Sequence, residues 1–104
     1  MDKKLTSAQR KDLRSAGREL QPKVTIGKAG INESILSHIR GQLTRLELLK
    51  VRLPASDAVS RTAAANEIAD GTGAALVDLV GRNVLLYRPN DQLPEEKRLH
   101  LPER

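Results

Sequence analysis

The sequence predicts a compact two-layer α/β sandwich, a mixed four-stranded sheet with three helices in the order α-β-α-β-α-β-β. Three observations predict it. Apolar residues recur at helical spacing in three segments and alternate with polar ones in the short runs between. Prolines and glycines fall at the junctions. The last two apolar runs are parted only by Gly81-Arg82-Asn83, a hairpin turn, whereas helical segments part the others. Helical crossovers imply parallel neighbours joined with right-handed connections.

Residues 6–20 read as the first helix. Thr6 or Ser7 caps it, and Leu13, Ala16 and Leu20 form a narrow apolar stripe. Pro22 ends it, and Lys23 to Ile26 alternate as a half-buried strand. Asn32 caps a second helix over 32–46, with Ile35, Leu36, Ile39, Leu43 and Leu46 on one face. A second strand runs from about Leu48 to Leu53. Its apolar residues Leu49, Val51 and Leu53 face the helices, and Lys50 and Arg52 face away. After Pro54, Ser56 or Asp57 caps a third helix reaching about Asp70, stopped by Gly71 or Gly73. Its apolar side is small: Ala58, Ala64, Ala65, Ile68 and Ala69. Leu76 to Val80 form a third strand with Asp78 pointing away from Val77 and Leu79. Val84 to Tyr87 form a fourth, apolar on both faces, which makes it central, with the first helix covering part of its second face. Residues 5–89 thus make one domain. Residues 90–104 turn polar and proline-bearing and read as a tail, extended or packed along an edge.

Composition narrows the function. The 104 residues allow one modest core, and with Phe and Trp absent and Tyr87 the only aromatic, that core must be aliphatic. Cysteine is absent, so thiol and disulfide chemistry are excluded. No apolar run approaches a bilayer span, and Met1-Asp2-Lys3-Lys4 lacks the apolar stretch of a signal peptide, so a cytoplasmic protein without membrane contact is expected. The net charge is +5, and residues 1–28, with eight Lys/Arg against three Asp/Glu, carry the excess. Arg10, Arg14 and Arg18 recur every fourth residue as a basic row with Lys11 beside it. Such a row is either a solvated face or a ridge that tracks phosphates.

The segment from Val24 to Asn32 favours the second reading. A short strand ends in Gly27-Lys28-Ala29-Gly30, and a helix follows at once. Two glycines let a partner approach the backbone, and the helix start offers unpaired N–H groups and partial positive charge. Lys28 adds a full charge. This suits a phosphate oxygen, and in a basic chain the phosphates of nucleic acid come first.

A lone Gly-x-x-Gly is common by chance. Here "IGKAGINESI", "ELLKVRL" (Glu47 to Leu53) and "VGRNVLLYRP" (Val80 to Pro89) occur in order at strand-helix spacings. Together they resemble the chloroplast RNA splicing and ribosome maturation (CRM) domain family, in its single-domain bacterial YhbY-like form, over residues 5–89. The run Ala63-Ala64-Ala65 departs from the family, where larger aliphatics are usual. The resemblance implies a fold like the C-terminal domain of translation initiation factor three. It also implies RNA binding through the Gly-x-x-Gly loop and a basic surface, similar to KH domains, and association with precursors of the large ribosomal subunit. Carried over by position, the loop is Gly27, Lys28, Ala29 and Gly30, and the basic face draws on Arg18, Lys23, Lys50 and Arg52. Arg10 and Arg14 extend the track.

With Tyr87 placed in the core, base stacking is not the mode of binding. Contacts would come from amides, lysines and arginines, which follow shape and respond to salt. Catalysis is not expected. His38 and His100 lack partners at metal-ligand spacing, Ser34 and Ser37 lack a nucleophile's turn, and the Gly-Lys-Ser/Thr ending of a nucleotide-triphosphate loop is missing. Asp57, Asp70 and Asp78 read as a cap, a helix end and an exposed strand position. No metal or cofactor is implied. The expected state is a monomer that binds ribosomal RNA, with ribosomal proteins as a further partner class. A duplex-DNA binder and a protein-interaction scaffold are the alternatives.

Overall fold

The computed structural model describes residues 5–99. Helix α1 spans Ser7–Arg18, and strand β1 is Val24–Thr25. Helix α2 (Glu33–Leu46) leads to β2 (Leu48–Arg52), and α3 (Ala58–Thr72) leads to β3 (Ala75–Val80). Strand β4 (Asn83–Tyr87) follows the hairpin, and a 3₁₀ turn lies at Glu95–Lys97. The sheet order is β1-β2-β4-β3. β1 and β2 are parallel, and β4 runs antiparallel to both β2 and β3. The expected mixed four-stranded sheet with three helices is what forms, but β2 and β3, joined by α3, are parallel without being the expected neighbours, because β4 inserts between them as the interior strand.

The caps are local chemistry. Thr6 and Gln9 exchange side-chain and backbone hydrogen bonds, each 3.0 Å, at the start of α1. Asn32 Oδ1 accepts from Ile35 N–H at 2.9 Å, and Asp57 Oδ1 from Ser60 N–H at 2.7 Å. α3 runs two residues beyond the expected Asp70 and stops at Gly73.

Two apolar clusters flank the sheet. On one face Ile39 and Leu43 of α2 and Ala65, Ile68 and Ala69 of α3 pack on Val24, Leu49, Val51, Val84 and Leu86. On the other, Leu13 of α1 meets Leu48, Val77, Leu85 and Tyr87. α2 and α3 with the sheet form the two expected layers, and α1 adds a partial third because β4 is apolar on its second face too. Gly17 permits that contact: a Cβ there would lie 2.5 Å from Leu85 Cδ2.

Some side chains depart from expectation. Leu46 is exposed, at the rim of a cleft it lines with Leu20, Leu48 and Leu99. Ala58 is exposed because only the C-terminal half of α3 lies on the sheet. Asp78 does not point away from Val77. The β3 register steps from Leu76–Leu86 to Asp78–Leu85, so Val77 is a bulge residue. Val77 packs with Leu13, and Asp78, half-buried, lines a cleft with Arg14 and Gly17 on the same face.

Residues 90–99 fold back on the domain. Buried Glu47, at the C-cap of α2 with φ 61°, accepts Asn90 N–H at 2.6 Å and Leu99 N–H at 2.7 Å through its carboxylate. Its carbonyl accepts Arg88 N–H at 2.8 Å. Leu99 joins the α1-side cluster. His100 and the rest of the expected tail lie outside the described residues.

Candidate nucleic-acid interface

The Gly27–Gly30 segment leaves the sheet at the C-terminal end of β1. Ile26 N–H donates to Arg52 O at 2.9 Å, carrying the pairing with β2 one residue past the strand. Gly30 N–H then donates to Gly27 O at 3.0 Å and closes a four-residue turn. Gly30 has φ 79°, the left-handed region that glycine occupies without strain. Buried Ile26 and partly buried Ile31 anchor the turn on both sides. Gly27, Lys28 and Ala29 are exposed, and Gly30 is half-buried. A Cβ built on Gly27 or Gly30 meets nothing of the protein within 4 Å. The turn therefore presents bare backbone outward, and the capped start of α2 follows directly.

The basic residues divide by sheet face. Val24 packs toward α2 and α3, so Lys23 and Thr25 face the α1 side. Lys50 and Arg52 do so for the same reason, alternating with buried Leu49, Val51 and Leu53. Arg14, Arg18 and Lys50 line one cleft of about 360 Å³ between α1 and the sheet. Lys23 and Lys50 line a neighbouring one of about 190 Å³ with Leu20 and Leu48. Arg52 pairs in register with Thr25, two residues before Gly27. The cations thus run from α1 across β2 toward the turn, and none of Arg14, Arg18, Lys23, Lys28, Lys50 or Arg52 forms an ion pair among the described residues.

Arg10 is used differently. Its Nη1 donates to Leu76 O at 2.8 Å and Val77 O at 2.9 Å, the carbonyls of the bulge. It ties α1 to β3 and does not share the cleft lined by Arg14 and Arg18. Asp78 and Asn83, by contrast, line that cleft, and sequence reasoning assigned neither to it. The one available signal was a carboxylate inside an otherwise apolar strand.

His38 is exposed, and among the described residues no group of three or more His, Asp or Glu could hold a metal. Among them too, no helix is long and apolar enough to cross a membrane.

The chain matches the family model of the CRS1 / YhbY (CRM) domain over residues 5–88. It belongs to the CRM domain family. This CRM domain is 33% identical over 98 residues to a Haemophilus influenzae protein named "RNA-binding protein", covering 94% of this chain and 95% of that one. It is 30% identical to the Bacillus subtilis protein named "Probable RNA-binding protein YqeI", covering 94% and 99%. The solution structure of a hypothetical Staphylococcus aureus protein superposes with a TM-score of 0.80 at 30% identity, covering 95% of this chain and all of that one.

Proposed function

We propose that this CRM domain is a non-catalytic RNA-binding protein that acts in the cytoplasm on precursors of the large ribosomal subunit. It grips the phosphate chain with the Gly27–Gly30 turn and the α1-side cations. One observation carries the reading: an outward turn with no side chain at either glycine adjoins a sheet face where Arg14, Arg18, Lys23, Lys50 and Arg52 form no ion pair among the described residues. The names of the relatives support RNA as the polymer. The ribosomal destination rests on what the family resemblance implies.

In the bound state, amides of the turn and of the first turn of α2 hold a phosphate beside Lys28, and the cations on the sheet face follow the chain onward. Lys28→Glu tests this. Lys28 is exposed and forms no ion pair among the described residues, so the variant keeps the fold and loses affinity for structured RNA by about ten-fold or more. Unchanged affinity overturns the turn as the contact. Competition with duplex DNA of equal length separates the polymers, and equal affinity for both counts against an RNA-directed role. Crosslinking in cells with sequencing of the bound RNA tests the destination; reads spread evenly over cellular RNA would sink it.

A further inference from the structure

The cleft beneath α1 contains more than a phosphate site requires. Arg14, Arg18 and Lys50 line it, and so does Asp78, which forms no ion pair with any of them. Asp78 Oδ1 accepts Leu79 N–H at 2.9 Å, which fixes the carboxylate in the wall. Asn83 lines the same cleft, and its Oδ1 is buried without a hydrogen-bond partner. Val80, 65% exposed, and Leu85 supply an apolar surface. The volume, about 360 Å³, lies in the range of about 300–1,000 Å³ found for small-ligand clefts, and leaves no room for a duplex.

A carboxylate repels phosphate and only accepts hydrogen bonds. Its presence among three cations calls for a ligand with an anionic end and an N–H-rich end. A nucleotide has both. Among the bases, guanine offers adjacent N1–H and N2–H donors that meet two carboxylate oxygens together, whereas uracil flanks its single N–H with carbonyls. We propose that this cleft receives one unpaired guanine nucleotide, its phosphate held by Arg14, Arg18 and Lys50 and its base edge by Asp78. The base face lies on Val80 and Leu85, an aliphatic platform in a protein with no free aromatic. Asn83 provides the second polar group of the wall. This proposal rests on the RNA-binding reading and adds base selectivity to it.

The test measures fluorescence anisotropy of the full chain with three short oligouridylates. One carries a central guanine, one hypoxanthine in its place, and one uracil throughout. The wild type loses about ten-fold from guanine to uracil, in line with the discrimination of a paired base contact, and less with hypoxanthine, which lacks the 2-amino group. Asp78→Asn keeps an acceptor for Leu79 N–H and so keeps the fold. It binds all three oligomers alike, with the salt dependence of the wild type. The proposal is overturned if the wild type binds the three within about two-fold, or if Asp78→Asn tightens binding uniformly and leaves base preference unchanged. In either case a Lys28→Glu variant that still loses RNA leaves the RNA-binding reading standing. A wild type that binds structured RNA but no oligomer overturns the cleft alone, and one that binds neither overturns both.

Discussion

Gly27 and Gly30 look equivalent in the sequence and are not equivalent in the structure. Gly30 stands at φ 79°, so any side chain there strains the backbone by about 1–2 kcal/mol. Gly27 has an ordinary φ, is exposed, and faces open space. Gly27→Leu is therefore the clean probe of close approach: thermal stability stays near wild type, while RNA affinity falls because the partner meets the new side chain. Gly30→Leu loses both. Calorimetry beside anisotropy separates them, and a Gly27→Leu protein that binds normally removes the turn from the contact. Asp57 carries a second residue-scale prediction. Its hydrogen bond from Ser60 N–H holds its carboxyl below the usual carboxylate range. The folded value is depressed, so this contribution is present above about pH 4, the unfolded value, and is lost as pH falls through the folded one. The protection of the Ser60 amide against exchange, taken relative to its unfolded rate at the same pH, should fall in acid before the sheet opens, and Asp57→Asn, which keeps the cap, should abolish that pH dependence. The loop and most of its basic companions were legible as residues. The role of Asp78 was not, because alternation assumes a regular strand and the Val77 bulge breaks it.

At the scale of elements, the sequence carried order, type and caps, since each depends on neighbours within a turn of helix. That α1 covers the second face of β4 followed from the apolar pattern of that strand, but the residues that make the contact did not. Gly17 looked like an ordinary helical residue. It is the point where α1 touches Leu85, so Gly17→Val should lift the helix and cost about 1–3 kcal/mol, read by denaturant unfolding. Glu47 stood inside a family motif, and nothing nearby showed that its carboxylate would hold two amides 43 and 52 residues away. Its positive φ lets the chain turn from α2 directly into β2 while the side chain stays buried. Glu47→Ala would leave the N–H groups of Asn90 and Leu99 without their acceptor. Two such losses amount to about 2–4 kcal/mol, and amide exchange across 90–99 should rise well before global unfolding. If exchange in 90–99 stays at the wild-type rate, the tail is held by Leu99 packing and not by the carboxylate.

For the whole molecule, a net charge of +5 says less than the division of labour among its cations. Several arginines serve the fold. Arg10 holds the β3 bulge, Arg82 Nε donates to Leu53 O at 2.9 Å, and Arg40 pairs with Glu33. Arg88 ties Thr72 O, Arg40 O and Thr44 Oγ1 together where α2, α3 and the sheet converge. Among the described residues Arg14, Arg18, Lys23, Lys28, Lys50 and Arg52 have no such engagement in an ion pair, and they gather on one face and at the turn. These are the charges available to neutralise phosphates. With four to six of them engaged, the logarithm of affinity should fall with the logarithm of salt with a slope of about −3 to −5. Arg18→Gln should shrink that slope by about one and leave stability unchanged. Arg88→Met should do the reverse, because it removes two hydrogen bonds to part-buried backbone carbonyls and one to the exposed Thr44 hydroxyl, and no phosphate contact. Titrations at several salt concentrations, run beside unfolding curves for both variants, check the division. A slope that responds equally to Arg18 and Arg88 would mean that RNA senses only the total charge, and the sheet face would lose its claim to be the track.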